Sequence, residues 1–157
     1  MAVRNIITEP NPVLHARAQE VTAVEVVTPE FRQLIVDMVE TMRNHGRGVG
    51  LAGPQIGVSK RVFVAESPDG AIALVNPVFT AKSWKMTKDE EGCLSVPGKF
   101  DKVMRHKAVS VKALNADGQP IAFAAEGFFA RILQHETDHL DGILFTDRVE
   151  EQRKKRR

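Results

Sequence analysis

The sequence predicts an α+β fold with antiparallel sheet, and two observations carry that expectation. Only two stretches space their apolar residues helically, at 29–45 and 127–140. Between them lie segments rich in Val, Ile, Leu and Phe, joined by turn signals such as Pro68-Asp69-Gly70 and Asp117-Gly118 rather than by helices. Strands joined by tight turns pair antiparallel, whereas parallel units need a crossover helix.

Taken in order, residues 3–7 (Val-Arg-Asn-Ile-Ile) read as a short strand, ended by Pro10 and Pro12. Thr28-Pro29-Glu30 reads as a helix start, with an N-cap, a proline at the first position and an acid in the first turn. Phe31, Leu34, Ile35, Met38, Val39 and Met42 follow at helical spacing, and Gly46 stands where a C-terminal glycine belongs. A glycine-rich stretch, 46–57, comes next. It lacks the G-x-G-x-x-G order and the Gly-Lys-Ser/Thr of a phosphate loop, so its glycines serve close backbone approach. Strands are expected at 61–65, 71–79 and 82–87, then at 103–114 and 121–125, with Glu90 to Gly98 between them ending in a turn.

The last helix carries Gln134-His135-Glu136-Thr137-Asp138-His139. Positions four apart share a helix face, about 6 Å apart along the axis. His135 and His139 can therefore face one ion while Glu136 reaches a water beside it, the pattern of a metal hydrolase. Phe128, Ile132, His135 and His139 form one stripe, widened by Phe129, Leu133 and Leu140. Two imidazoles and a carboxylate on a buried stripe are costly unless paired or metal-bound. The competing reading is a chance His pair, or core histidines satisfied by neighbours.

The 157 residues suffice for a single domain, placed at 1–150, with 151–157 a short basic C-terminal tail. A hydrophobic content of 43% and a charged content of 27% are those of an ordinary soluble protein. No apolar run is long enough to span a bilayer and no signal pattern opens the chain, so a cytoplasmic location without membrane contact is expected. A net charge of +2 argues against a general DNA or RNA binder. The charge is concentrated in Arg153-Lys154-Lys155-Arg156-Arg157, which reads either as a solvated terminus or as a contact for a polyanion such as RNA. The lone cysteine, Cys93, reads as a small buried hydrophobe or, beside a His pair, as a metal or catalytic group.

Three stretches taken together, Gly48-Val49-Gly50-Leu51-Ala52-Gly53-Pro54-Gln55, Glu91-Gly92-Cys93-Leu94-Ser95 and the His135 to His139 motif, resemble the three motifs of the peptide deformylases. The resemblance covers nearly the whole chain. It departs at Gly53, where the family usually has alanine, and at Lys99-Phe100, where bacterial members often carry an arginine. It implies antiparallel sheets packed around a central metal-binding helix. It also implies metal-dependent removal of the formyl group from formyl-methionine of nascent chains. Cys93, His135 and His139 would be the metal ligands, with Glu136 the proton-transferring base. Gln55 and the Leu94 N–H would steady the oxyanion. Val49, Phe128 and Ile132, with the stem of Arg131, would line the methionine slot, and main chain near Val49, Gly50 and Gly92 would pair with the peptide. Iron(II) is the metal implied in the cell, and zinc, nickel or cobalt also suit the donors. Docking to the ribosome through the basic tail is implied as well. Two other classes stay open from the residues alone: another amidase or peptidase using the helix motif, or a binding protein with a structural metal.

Overall fold

A computed structural model describes residues 2–157. It contains α1 (Pro29–Asn44), β1 (Gly50–Ala52), β2 (Val62–Ser67), β3 (Gly70–Lys82), β4 (Met86–Cys93), β5 (Val96–His106), β6 (Ala108–Leu114), β7 (Pro120–Glu126), α2 (Gly127–Leu140) and α3 (Phe145–Lys155). The expected α+β class holds. One antiparallel sheet has the order β1-β2-β3-β6-β7, and β4 and β5 form a separate antiparallel ribbon.

Strand β2 shows why the larger sheet has a helix on each face. Its residues alternate sides. Phe63 and Ala65 belong to a core with Leu74, Val111, Ile132, Leu133 and Leu140, against α2. Val62 and Val64 belong to a second core with Phe31, Ile35, Met38 and Met42, against α1. A strand buried on both faces reads as one apolar run, Val-Phe-Val-Ala, and that is its sequence. The α1 start is as expected, with Thr28 Oγ1 accepting from the Phe31 N–H at 3.2 Å. Gly46, just past the helix, has φ +65°, which a side chain would strain.

Between the N-terminus and β6 the structure corrects four expectations. Residues 3–7 are not a strand; they form an extended strap whose Arg4 N–H donates to Thr41 Oγ1 at 2.8 Å and whose Ile7 N–H donates to the Gln55 carbonyl at 2.7 Å. Residues 82–87 are not one strand but the end of β3, a link and the start of β4. Residues 103–114 are two strands parted at Lys107, where the chain passes from ribbon to sheet. Glu90 to Gly98 is a hairpin: β4 runs to Cys93, Leu94 and Ser95 make the turn, and β5 begins at Val96.

The residues read as a terminal tail continue α3, which crosses position 150 and ends at Lys155. Phe145 and Val149 of α3 bury against Leu14, Val96, Val103 and Leu144, so this helix closes a third core over the ribbon. No helix of the described residues is long and apolar enough to cross a membrane.

Candidate metal centre

Helix α2 lies between the sheet and the ribbon; Gln134, His135 and Asp138 reach residues of the ribbon, and Glu136 packs on Gly50 of β1. His135 and His139 stand one turn apart with ring centroids 5.0 Å from each other. Cys93, the last residue of β4, brings its sulfur 3.3 Å from His139 Nε2. The donor atoms of Cys93, His135 and His139 all lie within 4.8 Å of one another. A tetrahedral ion with arms of about 2.3 Å to sulfur and 2.1 Å to nitrogen would hold them about 3.6 Å apart, so the set fits a divalent cation.

The second nitrogen of His135 is taken. His135 Nδ1 is 2.8 Å from Glu91 Oε1, which turns Nε2 inward toward the sulfur. A carboxylate behind an imidazole fixes the ring and raises its basicity as a ligand. Glu91 is buried, yet fully partnered. Its oxygens accept from Arg105 Nε and Nη2, each at 2.9 Å, and from Arg131 Nη1 at 2.7 Å. Burial opposes its charge, but the hydrogen bonds with Arg105 and then His135 hold its carboxyl well below the usual range. Burial also lowers His135, but hydrogen bonds to Cys93 and Glu91 outweigh it and raise it to about 10. His139 goes the other way, pushed well down by burial and then by the neighbouring charge of His135.

Sequence reasoning missed Glu91 as a site residue. No periodicity signalled it, because β4 is exposed along most of its length and its ladder is irregular between Gly92 and Cys93; only its place in the Glu91-Gly92-Cys93 stretch marked it. Arg131 was expected to lend its stem to a substrate wall. Instead it is buried and spent on Glu91, on the Val103 carbonyl at 2.8 Å and on the Thr87 carbonyl at 3.0 Å.

Glu136 is 4% exposed, and its Oε2 has no partner among the described residues. Burial raises its carboxyl to about 7; a divalent cation alongside would pull it down again. An unpartnered acceptor beside three converging donors is where a water would be held and deprotonated. Gln55 sits in the short helical turn Gly53–Ile56, 2% exposed. Its Oε1 accepts from the Ala52 N–H at 2.8 Å, which turns the amide nitrogen toward Cys93 and Ser95. Nε2 donates to Ser95 Oγ at 3.1 Å and lies 3.5 Å from the Cys93 sulfur. Leu94 follows Cys93 in the turn.

All three glycines of the first stretch are fixed by contact; a Cβ on Gly48 would overlap the Met42 carbonyl oxygen. A Cβ on Gly50 would overlap Glu136 Oε1, 2.7 Å from Glu136 Cδ. A Cβ on Gly53 would lie 2.7 Å from the Val58 carbonyl oxygen and 2.9 Å from that of Lys60. Gly92 lies under the Phe100 ring, to which a Cβ would come within 2.6 Å. Of the expected slot residues, Ile132 is buried and Val49 half-exposed. Phe128 is 64% exposed, so it does not continue the buried stripe.

The family model described as polypeptide deformylase matches residues 3–155 of this chain. The peptide deformylase of Desulforudis audaxviator (strain MP104C) is 48% identical over 150 residues, covering 95% of each chain. That of Pelotomaculum thermopropionicum is 46% identical over 154 residues, 98% of this chain and 96% of the relative. Among solved structures, a class I type b peptide deformylase from Acinetobacter baumannii superposes with a TM-score of 0.90 at 38% identity, covering 94% of this chain and 99% of the other. The enzyme from Thermotoga maritima gives 0.89 at 39% identity, with 94% and 98% covered.

Proposed function

The chain belongs to the polypeptide deformylase family, and from that premise we infer how its own residues perform the family's reaction. That reaction is the metal-dependent hydrolysis of the formyl group from the N-terminal formyl-methionine of nascent polypeptides. The observation that carries the assignment is the convergence of Cys93, His135 and His139 next to an unpartnered Glu136 and an oriented Gln55.

Cys93, His135 and His139 hold the ion. When bound, the ion polarises a water and lends positive charge to the reacting carbonyl. Glu136 takes a proton from the attacking water and delivers it to the departing amine. The Gln55 amide and the Leu94 N–H hold the carbonyl oxygen as it gains charge, a role worth about 3–4 kcal/mol per donor in comparable sites. Thiolate and imidazole donors suit iron(II), which we take as the metal in the cell, and equally zinc, nickel or cobalt.

The substrate lane is read from free strand edges. β1 ends the larger sheet, and the ribbon presents an edge of β4, so a peptide can add as a strand near Val49, Gly50 and Gly92. Ile132 and Val49 are placed as the walls of the methionine slot, with Phe128 at its rim. The basic end of α3 is placed as a contact for ribosomal RNA, at which a cytoplasmic enzyme would meet nascent chains; deleting residues 153–157 should weaken ribosome association and flatten its salt dependence.

Neither other class is favoured. A peptidase with this helix motif ordinarily takes a His or Glu as third ligand, where this chain offers Cys93. A structural zinc site closes with four protein ligands. Here the described residues gather three, while His106 Nδ1 is engaged with the Ser83 carbonyl and His15 with Glu9.

The deciding experiment compares formyl-Met-Ala-Ser with acetyl-Met-Ala-Ser. The extra methyl displaces the carbonyl carbon, and about 1 Å of displacement costs roughly a hundredfold in rate. Amine release should be far faster from the formyl peptide; equal kcat/KM for both would refute the assignment.

A further inference from the structure

The buried charges of the site do not end at Glu91. Arg105, which grips Glu91 with Nε and Nη2, donates its remaining nitrogen, Nη1, to Asp138 Oδ2 at 2.6 Å. Asp138 is 7% exposed and lies on α2 between the two histidines. Its other partner comes from a different element. Arg148 of α3 donates Nε to Oδ2 at 3.0 Å and Nη2 to Oδ1 at 2.7 Å, a two-pronged grip. A continuous chain of paired charges thus runs from Arg148 through Asp138, Arg105 and Glu91 to His135 Nδ1.

We propose that Arg148 is a positioning residue of the metal centre, fixing His135 from the C-terminal helix by holding Asp138 in place for Arg105. The proposal rests on the reading of Cys93, His135 and His139 as metal donors. Its physical basis is competition for one guanidinium. Arg105 is shared by two buried carboxylates, Glu91 and Asp138. While Arg148 satisfies Asp138, Arg105 can stay flat against Glu91. Without Arg148, Asp138 is left short of charge in a buried place, where an under-compensated carboxylate is costly. Arg105 is then drawn toward it, and the Glu91 bond that aims the His135 ring loosens. Loss of a partner behind a metal ligand costs about 10–100-fold in metal affinity; one step further out, the lower end is expected.

α3 has a second attachment that serves as a control. Gln152 accepts from the Met104 N–H at 3.0 Å and donates to the Met104 carbonyl at 3.2 Å, tying the same helix to β5 without touching Asp138. The test uses the full chain loaded with cobalt(II) or zinc. Readouts are the cobalt–thiolate absorption, the rate of zinc release to a chelator, and kcat and KM.

Arg148→Ala should shift the cobalt spectrum, release zinc about tenfold faster and lower kcat more than it raises KM. Arg148→Lys, keeping charge but not the two-pronged grip, should recover part of each. Gln152→Ala should lower thermal stability yet release zinc at the wild-type rate. In an Asp138→Asn background, adding Arg148→Ala should change nothing further, and this pair decides the matter if Arg148→Ala alone does not fold. Wild-type spectrum and release rate in Arg148→Ala would overturn the proposal. Equally fast release from Gln152→Ala would do so too, by making the effect one of helix packing. Failure of the wild-type protein to bind cobalt or zinc would instead refute the metal-centre reading itself.

Discussion

Gly50 and Glu136 lie in contact across the site, the bare Cα of the first against the carboxylate of the second, with no room for a methyl between them. The contact sets where the base can stand. Glu136 is on α2 and Gly50 on the edge strand β1, so sheet and helix jointly fix the carboxylate.

Gly50→Ala should therefore push Glu136 off its position while leaving the three donors intact. An expected loss of kcat of about a hundredfold follows from a shift of about 1 Å in a catalytic group. Metal content measured on the same preparation should equal wild type; a variant with normal kcat would show that the Glu136 position is not critical.

Glu136→Ala should fold, retain one equivalent of metal and lose turnover, since the carboxylate is placed as base and not as ligand. Elemental analysis beside a formate-release assay separates these. Loss of the metal from the folded variant would move Glu136 into the ligand set.

Gly53 is where this chain departs from the alanine usual in its family. Here the backbone carbonyls of Val58 and Lys60 close over it, and neither is a flexible side-chain end. Gly53→Ala should force the Gly53–Ile56 turn outward, lowering Tm by several degrees and kcat through a displaced Gln55. Calorimetry and kinetics on the variant test both. Unchanged Tm would mean that the loop at 57–61 yields readily.

Glu91→Gln keeps the size of the side chain but removes the charge facing Arg105, Arg131 and His135. Metal affinity should fall by about 10–100-fold, in line with other partners behind ligating histidines. Competition with a chelator measures it.

Asp37 anchors the N-terminal strap to α1, accepting from Gln33, from Arg4 and from the Ala2 N–H. Gln33 and then Arg4 lower its carboxyl to about 2. Because the folded value lies below the unfolded one, near 3.8, the pair contributes stability that is full above pH 3.8 and lost as pH falls toward 2. Asp37→Asn should lower Tm at neutral pH and remove that part of the acid dependence between pH 4 and 2. Thermal melts across this range, wild type against variant, give the difference directly; parallel curves would exclude Asp37 as its source.

The sequence alone determined α1, α2, the β2–β3 hairpin, the β6–β7 hairpin and the His135–His139 pair; Cys93 joined that pair only through the family resemblance. Each rests on local information: a period of 3.6 or 2, a cap, a turn pair, or two histidines four apart. The tertiary structure decided the rest. β4, Met-Thr-Lys-Asp-Glu-Glu-Gly-Cys, is solvent-exposed along most of its length and carries no apolar alternation, so nothing local marks it as a strand. α3 is mostly charged, and only its burial of Phe145 and Val149 on the ribbon makes it part of the domain. The chain Arg148–Asp138–Arg105–Glu91–His135 joins residues 10 to 44 positions apart, and no periodicity encodes such partners. Gly50 and Gly53 were legible as glycines, but not what they touch. Close approach between distant segments is a property of packing, and it exists only once the sheet, the ribbon and α2 have come together.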